Sequence, residues 1–422
     1  MIPLNDIVFE RQVGGLKREA ESEDVISGLI MLLEAMPFAS GSPLIEILVT
    51  PQIKMFVAKI RYFEELAEIY GVEESEITYT NGVLDTGQGV QLAKNAVVYH
   101  TQEFFRQSPT GELWLGVTIE GDGVPKEAIL ALQNKAQGKI RQLGVFTPKS
   151  EDIIQYQYAA AGDGIEKGLE QMHRPLSIVV GLSKEGLTLS NLLSANPHFS
   201  DTESRKNLSL LIACDLDARV LSQLGEEQYG YYGCVGNVLG AISASRVNES
   251  IAWVGKFKAG LKKPGLITGE LLDELSDTDL NVLNDNRYIF VRYVEGISGN
   301  YFNDSHTLDP VTSDYAYIEN VRTMDKAVRE IRKKLVPFLN SPIAINSSTG
   351  TLADISIANL ENVANSALEE MEKRGEISGH RVAINPDQNV LATGEIEFQI
   401  QKVPIGVVRR MRIKIGFTQK LD

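Results

Sequence analysis

GEIEFQIQKVPIGVVRRMRIKIGF, residues 394–417, reads with a period of two. Ile396, Phe398 and Ile400 alternate with Glu395, Glu397, Gln399 and Gln401. After a Pro404–Gly406 break, Met411, Ile413, Ile415 and Phe417 alternate with Arg410, Arg412, Lys414 and Thr418. Successive side chains of a strand point to opposite faces, so each half has one apolar and one polar face. An alternating strand that close to a C-terminus needs something to pair with. The hundred residues before it keep a different period. Val321, Met324, Val328, Ile331, Leu335 and Phe338 fall three and four apart and predict a helix over 315–339; Leu360, Ala364, Ala367 and Met371 predict a second over 354–374.

The N-terminus poses the same question. In the segment Asp6, Ile7, Val8, Phe9, Glu10 to Val13, the residues Ile7, Phe9 and Val13 share one face of an extended chain, opposite Asp6, Glu10 and Gln12; Gly14-Gly15 then gives a flexible exit. Both ends read as strand arms. The acidic face of the first is complementary to the basic face of the last, at roughly 0.2–1 kcal/mol per cross-strand pair. From the residues alone, the alternative is that both are edge strands of the chain's own sheet.

Between the ends the pattern is α/β. Apolar runs at 45–49, 113–119, 176–182, 208–214 and 288–293 read as buried strands, and 54–70, 88–107, 125–142, 151–172 and 235–248 read as helices. The turn-rich stretch GISGNYFNDSHTLDPVTS, 296–313, marks a boundary before the C-terminal helices. The expected fold class is α/β (α+β overall): an arm over 1–20, an outer and middle α/β region over 21–310, a smaller α+β domain over 311–408 and a second arm over 409–422.

At 422 residues and 43% hydrophobic, the chain has ample material for a core. Its net charge of -15 argues against a nucleic-acid partner. No run approaches the length needed to span a bilayer, and MIPLNDIVFE lacks a basic region and an apolar signal core, so the expectation is cytoplasmic assembly without a signal peptide. The 2 cysteines, Cys214 and Cys234, are too few for a disulfide framework and read as buried small apolar residues.

Chemical motifs are sparse. GCVGNVLG, 233–240, fits neither the dinucleotide nor the P-loop spacing; Gly236, Gly240 and Ala244 instead form a small-residue ridge suited to close packing. His100, His173, His198, His306 and His380 are scattered, with no metal-ligand spacing. Asp215 follows a strand, and Asp277 in SDTDL reads as the cap that opens a helix. No cofactor, metal or catalytic residue is expected.

With strand arms at both ends and no catalytic constellation, the second half resembles the contractile tail sheath family of phages, phage-tail-like particles and extracellular injection systems. The resemblance rests on motifs in order: GCVGNVLGAISASR (233–246), NRYIFVRYVEGISGNYF (286–302), SHTLDPVTSDYAYIENVRTMDKAVREI (305–331), the turn GEISGHRV (375–382), NPDQN (385–389) and the strands of 394–417. Two departures are visible: INSSTGTLADI (345–355) lacks a bulky aromatic residue of the family pattern, and a single chain differs from the two-protein sheath of type VI secretion. The resemblance implies a subunit that polymerises helically around an inner tube protein, with baseplate and terminal cap proteins as further partners, in a virion or a released or anchored injection particle. It implies no membrane insertion. It makes Ile396, Phe398 and Ile400 the host strand for neighbouring arms, with hinges at Gly14-Gly15 and Pro404–Gly406. It favours Glu361, Glu369 and Glu372 on the second helix as the tube contact, over the basic stripe Arg322, Lys326, Arg329 and Lys333 on the first; two solvated faces are the plainer reading. The rival functional classes are a soluble α/β enzyme with an unrecognised ligand site, recognisable by ligand-induced stabilisation, and an exported adhesin-like protein.

Overall fold

A computed structural model describes residues 22–33, 38, 44–50, 53–71, 88–119, 125–146, 169–183, 187–194, 205–216 and 231–417. The N-terminal arm Asp6 to Val13, its Gly14-Gly15 exit, and 151–168 of the expected helix 151–172 lie outside them.

The architecture is organised by β1 (Ile26–Leu33), a strand the sequence reading did not single out. ISGLIMLL lies at the middle of a 7-stranded sheet of order β2-β3-β4-β1-β5-β6-β7. The other strands are β2 (Glu46–Val49), β3 (Lys54–Ile60), β4 (Glu112–Ile119), β5 (Gln142–Phe146), β6 (Ser177–Gly181) and β7 (Leu208–Leu211). β1 runs parallel to both β4 and β5; β5, β6 and β7 continue in parallel, while β3 and β2 are added antiparallel beyond β4. Both faces of β1 are covered, so it has no polar face; its polar side chain, Ser27, is buried and accepts from Gln142 Nε2 at 2.9 Å. Leu29, Met31 and Leu33 join one core with Phe104 and Val238. Ile26 and Ile30 join the other with Ile129, Leu132 and Ile178.

The expectation of a helix over 54–70 is corrected. Only α1 (Glu65–Tyr70) is helical; KMFVAKI is a strand that buries Met55 and Val57 in one core and Ala58 and Ile60 in the other, and pairs with β4. The helices α2 (Gln88–Gln107), α3 (Pro125–Lys135), α4 (Leu189–Ser194), α5 (Val235–Ala244) and α6 (Asp277–Asp285) surround the sheet. α3 stops short of 142 because Gln137 and Gly138 turn left-handed, at φ 56° and 72°. α6 is capped by Ser276 rather than Asp277: Ser276 Oγ accepts from Asp279 N at 3.1 Å and Asp279 Oδ2 accepts from Ser276 N at 3.2 Å. The run 208–214 divides into β7 and β8 (Ala213–Asp215), which pairs with β9 (Pro264–Leu266).

The stretch 296–313 is not an exposed boundary loop. β10 (Val291–Val294) and β11 (Ile297–Phe302) form a hairpin that turns at Gly296, where φ is 79°. Residues 305–309 then run buried beside the main sheet, with Leu308 N donating to Leu208 O at 2.8 Å.

The C-terminal helices form as expected, as α7 (Ile318–Leu335), closed by a 3-10 turn at Val336–Phe338, and α8 (Asp354–Lys373). The expected turn at 375–382 is a strand. Gly375, at φ 70°, makes the turn and β12 (Ile377–Ile384) follows it, pairing antiparallel with β13 (Phe398–Pro404). A short helix, α9 (Val390–Thr393), connects the two. The strand expected as host therefore begins at Phe398, and Ile396 packs beside it against Leu360 and Ile384. Residues 405–417 form no strand in the single chain: among the described residues no strand lies alongside 410–417 to take its backbone groups.

Candidate assembly interface

The β12–β13 ladder is a 2-stranded sheet, so the outer edge of β13 carries no partner strand among the described residues. Alternation divides β13 between two environments. Phe398, Ile400 and Lys402 are half-buried, facing α7 and α8; Gln399, Gln401 and Val403 are exposed. Beyond the free edge lies an apolar groove of about 680 Å³, lined by Met324, Val328, Ile331, Leu335, Leu368 and Ile400. Part of the α7 stripe thus has no cover, and Val328 is 50% exposed.

The tail after β13 has the complementary property. Met411, Ile413, Ile415 and Phe417 all project into solvent, at 78% exposure for Met411 and 95% for Ile415. Four alternate apolar side chains of the tail are thus left uncovered.

The root of the tail is held. Arg409 Nε lies 2.9 Å from Asp304 Oδ2, its Nη2 donates to Glu319 Oε1 at 2.5 Å, and its guanidinium sits 3.3 Å from the Tyr317 ring centroid. Glu319, at the start of α7, is 2% exposed and also accepts from Ser305 Oγ at 2.5 Å. Burial raises its carboxyl above the ordinary range, against the pull of Arg409. Burial disfavours the charge on Arg409 too, but Asp304 and Glu319 outweigh it and hold the guanidinium above its usual range.

Three of the four cations in the basic stripe of α7, Arg322, Lys326 and Arg329, turn inward. Lys326 bonds to Asp24 and, at 2.6 Å, to Glu376 Oε1; Arg329 Nη2 reaches Asp24 Oδ1 at 2.6 Å. Arg322 is buried and donates to Ser245 Oγ at 2.8 Å, its pKa pushed down to about 10 by burial. Burial raises the Asp24 carboxyl, but Lys326, Arg329 and Arg322 together leave it below its ordinary value. Only Lys333 of the stripe is exposed. Helical periodicity marks a charged face without saying what faces it, and nothing in SEDV, 22–25, announced Asp24 as the partner.

The three glutamates of α8 divide similarly. Glu361 Oε1 accepts from Ile384 N at 2.8 Å, so it holds the end of β12. Glu369 and Glu372 are exposed, with Lys373 at 3.7 Å from Glu369 and His380 Nδ1 at 2.9 Å from Glu372.

The remaining sequence candidates are structural. A Cβ on Gly236 would lie 2.1 Å from His100 O, and one on Gly240 would lie 2.6 Å from Phe104 O, so the ridge of α5 is what lets α2 approach. Asp215 accepts from Lys262 N and Lys263 N, each at 2.9 Å. Cys214 and Cys234 are free and buried, with thiols pushed up by burial. Among the described residues no group of His, Cys, Asp and Glu is placed to hold a metal ion, and no helix is long and apolar enough to cross a membrane.

Residues 134–306 match the N-terminal domain of the DUF2586 family and residues 314–422 match its C-terminal domain. No curated protein sequence matches the chain. Among solved structures, the chain is similar to the helical sheath of the anti-feeding prophage in its contracted state, at 14% identity and TM-score 0.58 with both chains covered over 100% of their length. A chain in the 6-fold symmetrised baseplate of the same particle gives the same figures. At that identity the likeness concerns the fold, and it extends from one end of each chain to the other. The chain thus carries both DUF2586 domains on the fold of a contractile injection system sheath.

Proposed function

We propose that this chain is a structural, non-enzymatic subunit of a contractile tail sheath, which polymerises helically around an inner tube and contracts to drive that tube through a target envelope. The observation that carries this reading is the pairing of an uncovered alternating tail with a free strand edge beside an uncovered apolar groove. In the assembly, the tail of a neighbour adds to β13, so that its Met411, Ile413, Ile415 and Phe417 lie along the groove and cover Val328 and Ile331 of α7. About four ladder hydrogen bonds at a net ~0.5–1.5 kcal/mol each contribute a few kcal/mol. Burying four large apolar side chains contributes ~1.5–3 kcal/mol each before ordering costs. The side chains therefore outweigh the ladder, and the ladder sets register.

The contact is head to tail, so it propagates instead of closing on itself. Residues 1–20 and 409–422 are the arms, 311–408 the tube-proximal domain and 21–310 the outward region. The arms keep subunits linked while their bodies rotate and repack during contraction. Inner tube, baseplate and cap proteins complete the particle, and exposed Glu369 and Glu372 are the α8 residues offered to the tube.

Negative-stain electron microscopy of the full chain at rising concentration is the direct test, with Ile413→Asp/Ile415→Asp as control. Wild type should give hollow tubes; the double variant should keep its thermal midpoint and give none. Tubes from both would sink the arm assignment. A wild-type chain that stays monomeric throughout would remove self-assembly as its property and turn attention to ligand screening.

A further inference from the structure

We propose that α7 is a common mount for both arms, and that Arg409, not the Pro404–Gly406 break, fixes the point at which the C-terminal arm becomes free. The inference uses the arm reading for its purpose, but the anchors themselves belong to the single chain.

The C-terminal root comes first. After β13 the chain passes Pro404, Ile405 and Gly406, a stretch whose sequence suggests a hinge. A hinge works only if one side of it is free to swing, and here neither side is. On one side β13 is laddered to β12. On the other, Arg409 is gripped by Asp304 and Glu319 and stacked over Tyr317. An exposed ion pair would be a poor anchor. This one has its acceptor at the buried start of α7, shared with Ser305, and a ring beneath the guanidinium; Arg287 lies over the same ring, 5.0 Å from its centroid. Releasing Arg409 would strand a buried carboxylate, which is the costly direction. Freedom therefore begins at Arg410.

The N-terminal root is gripped by the same helix. The described chain begins at Ser22, whose Oγ accepts from Asp24 N at 3.1 Å and starts a 3-10 turn, Glu23–Val25. Asp24 is then held by Lys326 and Arg329, while Glu23 is held by Arg141 and faces Arg329 Nε at 3.8 Å. Glu319 and Lys326 are seven residues apart on α7, which at 1.5 Å per residue places the two grips about 10 Å apart along its axis. The helix itself is clamped to the body by Arg322 on Ser245 and by Thr323 Oγ1 on Val247 O at 3.1 Å. Both arms thus leave from one rigid rod. A pull on either reaches the other through α7, bypassing the β12–β13 hairpin, and the spacing of the two exits cannot change while the subunit body moves.

The unassembled full chain tests this without requiring polymerisation. A nitroxide spin label at the exposed Val408 reports the C-terminal root, and hydrogen exchange at 24–26, whose amides are bonded, reports the N-terminal one. Arg409→Gln should speed the label's rotation several-fold and leave exchange at 24–26 unchanged. Arg329→Gln should speed exchange at 24–26 and leave the label unchanged. Arg409→Lys, which keeps the charge but not the forked contact, should fall between wild type and Arg409→Gln, and it remains readable should the Gln variant misfold. Unchanged label mobility in folded Arg409 variants overturns the anchor and returns the hinge to Pro404–Gly406. Unchanged exchange at 24–26 in Arg329→Gln overturns the common mount. If the anchors hold while the full chain fails to form tubes, the device stands and the sheath reading fails on its own.

Discussion

Gly236 shows what one missing methyl group does. Its Cα side faces the carbonyl of His100, and a Cβ there would meet backbone, which cannot rotate away as a side-chain tip can. Gly236→Ala should therefore cost at least the ~1–3 kcal/mol typical of overpacking, measured by urea unfolding, with Gly240→Ala similar. The same contact bears on pH. His100 is fully buried, accepts from Gly236 N at 3.3 Å, and has its pKa lowered by burial from 6.5 to about 3. Between those values the unfolded chain binds a proton that the folded chain refuses. The stability is thus complete above pH 6.5 and is lost as pH falls toward 3. From pH 7 to pH 5 the loss should be about 2 kcal/mol. Chemical denaturation at the two pH values should show that slope in wild type and a smaller one in His100→Gln.

At the level of elements, α7 is where periodicity was most and least informative. Its apolar stripe predicted the helix to within a few residues at each end, and the same repeat placed its cations on one face. The partners of those cations, Asp24 and Glu376, come from some 300 residues earlier and 50 residues later in the chain, so no local pattern shows that the charged face is the buried one. Lys326→Met should cost about 3 kcal/mol in unfolding free energy, near the low end for a broken buried pair, because Arg329 still faces Asp24 and Arg374 still faces Glu376. An unchanged midpoint would mean that the pair contributes nothing. β12 and β13 were half legible: the alternation of 398–404 was plain, whereas ISGHRVAI has Gly379 and mixed polarity and reads as a turn until its partner is known. The strands β1 and β3 were missed for a shared reason: both are buried on both faces and so lack alternation, and β3 in addition runs directly into a helical stretch that drew it into one longer helix. The glycine ridge of α5 was read correctly because close packing needs only the residues of one helix to declare it.

For the whole molecule, the fold divides labour between a sheet buried on both faces and a small two-stranded sheet left open at one edge. Under the function proposed above, the open edge is the part that would meet other chains. The tube assignment belongs at this scale and reduces to two residues, since Glu361 is committed to Ile384 N. Glu369→Lys/Glu372→Lys should leave folding intact and weaken co-sedimentation with the inner tube several-fold; unchanged co-sedimentation would remove α8 as the contact. One further consequence comes from the pairing of Asp24 with Lys326 and Arg329. A ribosome makes the acid some 300 residues before its bases, so a growing chain carries Ser22–Val25 without its grip until about three quarters of the chain has been made. The base of the leading arm is therefore set only in chains that already contain α7. A product terminated before α7 never acquires that mount, so under the proposed sheath reading such a chain is already unfit for assembly before any subunit meets another.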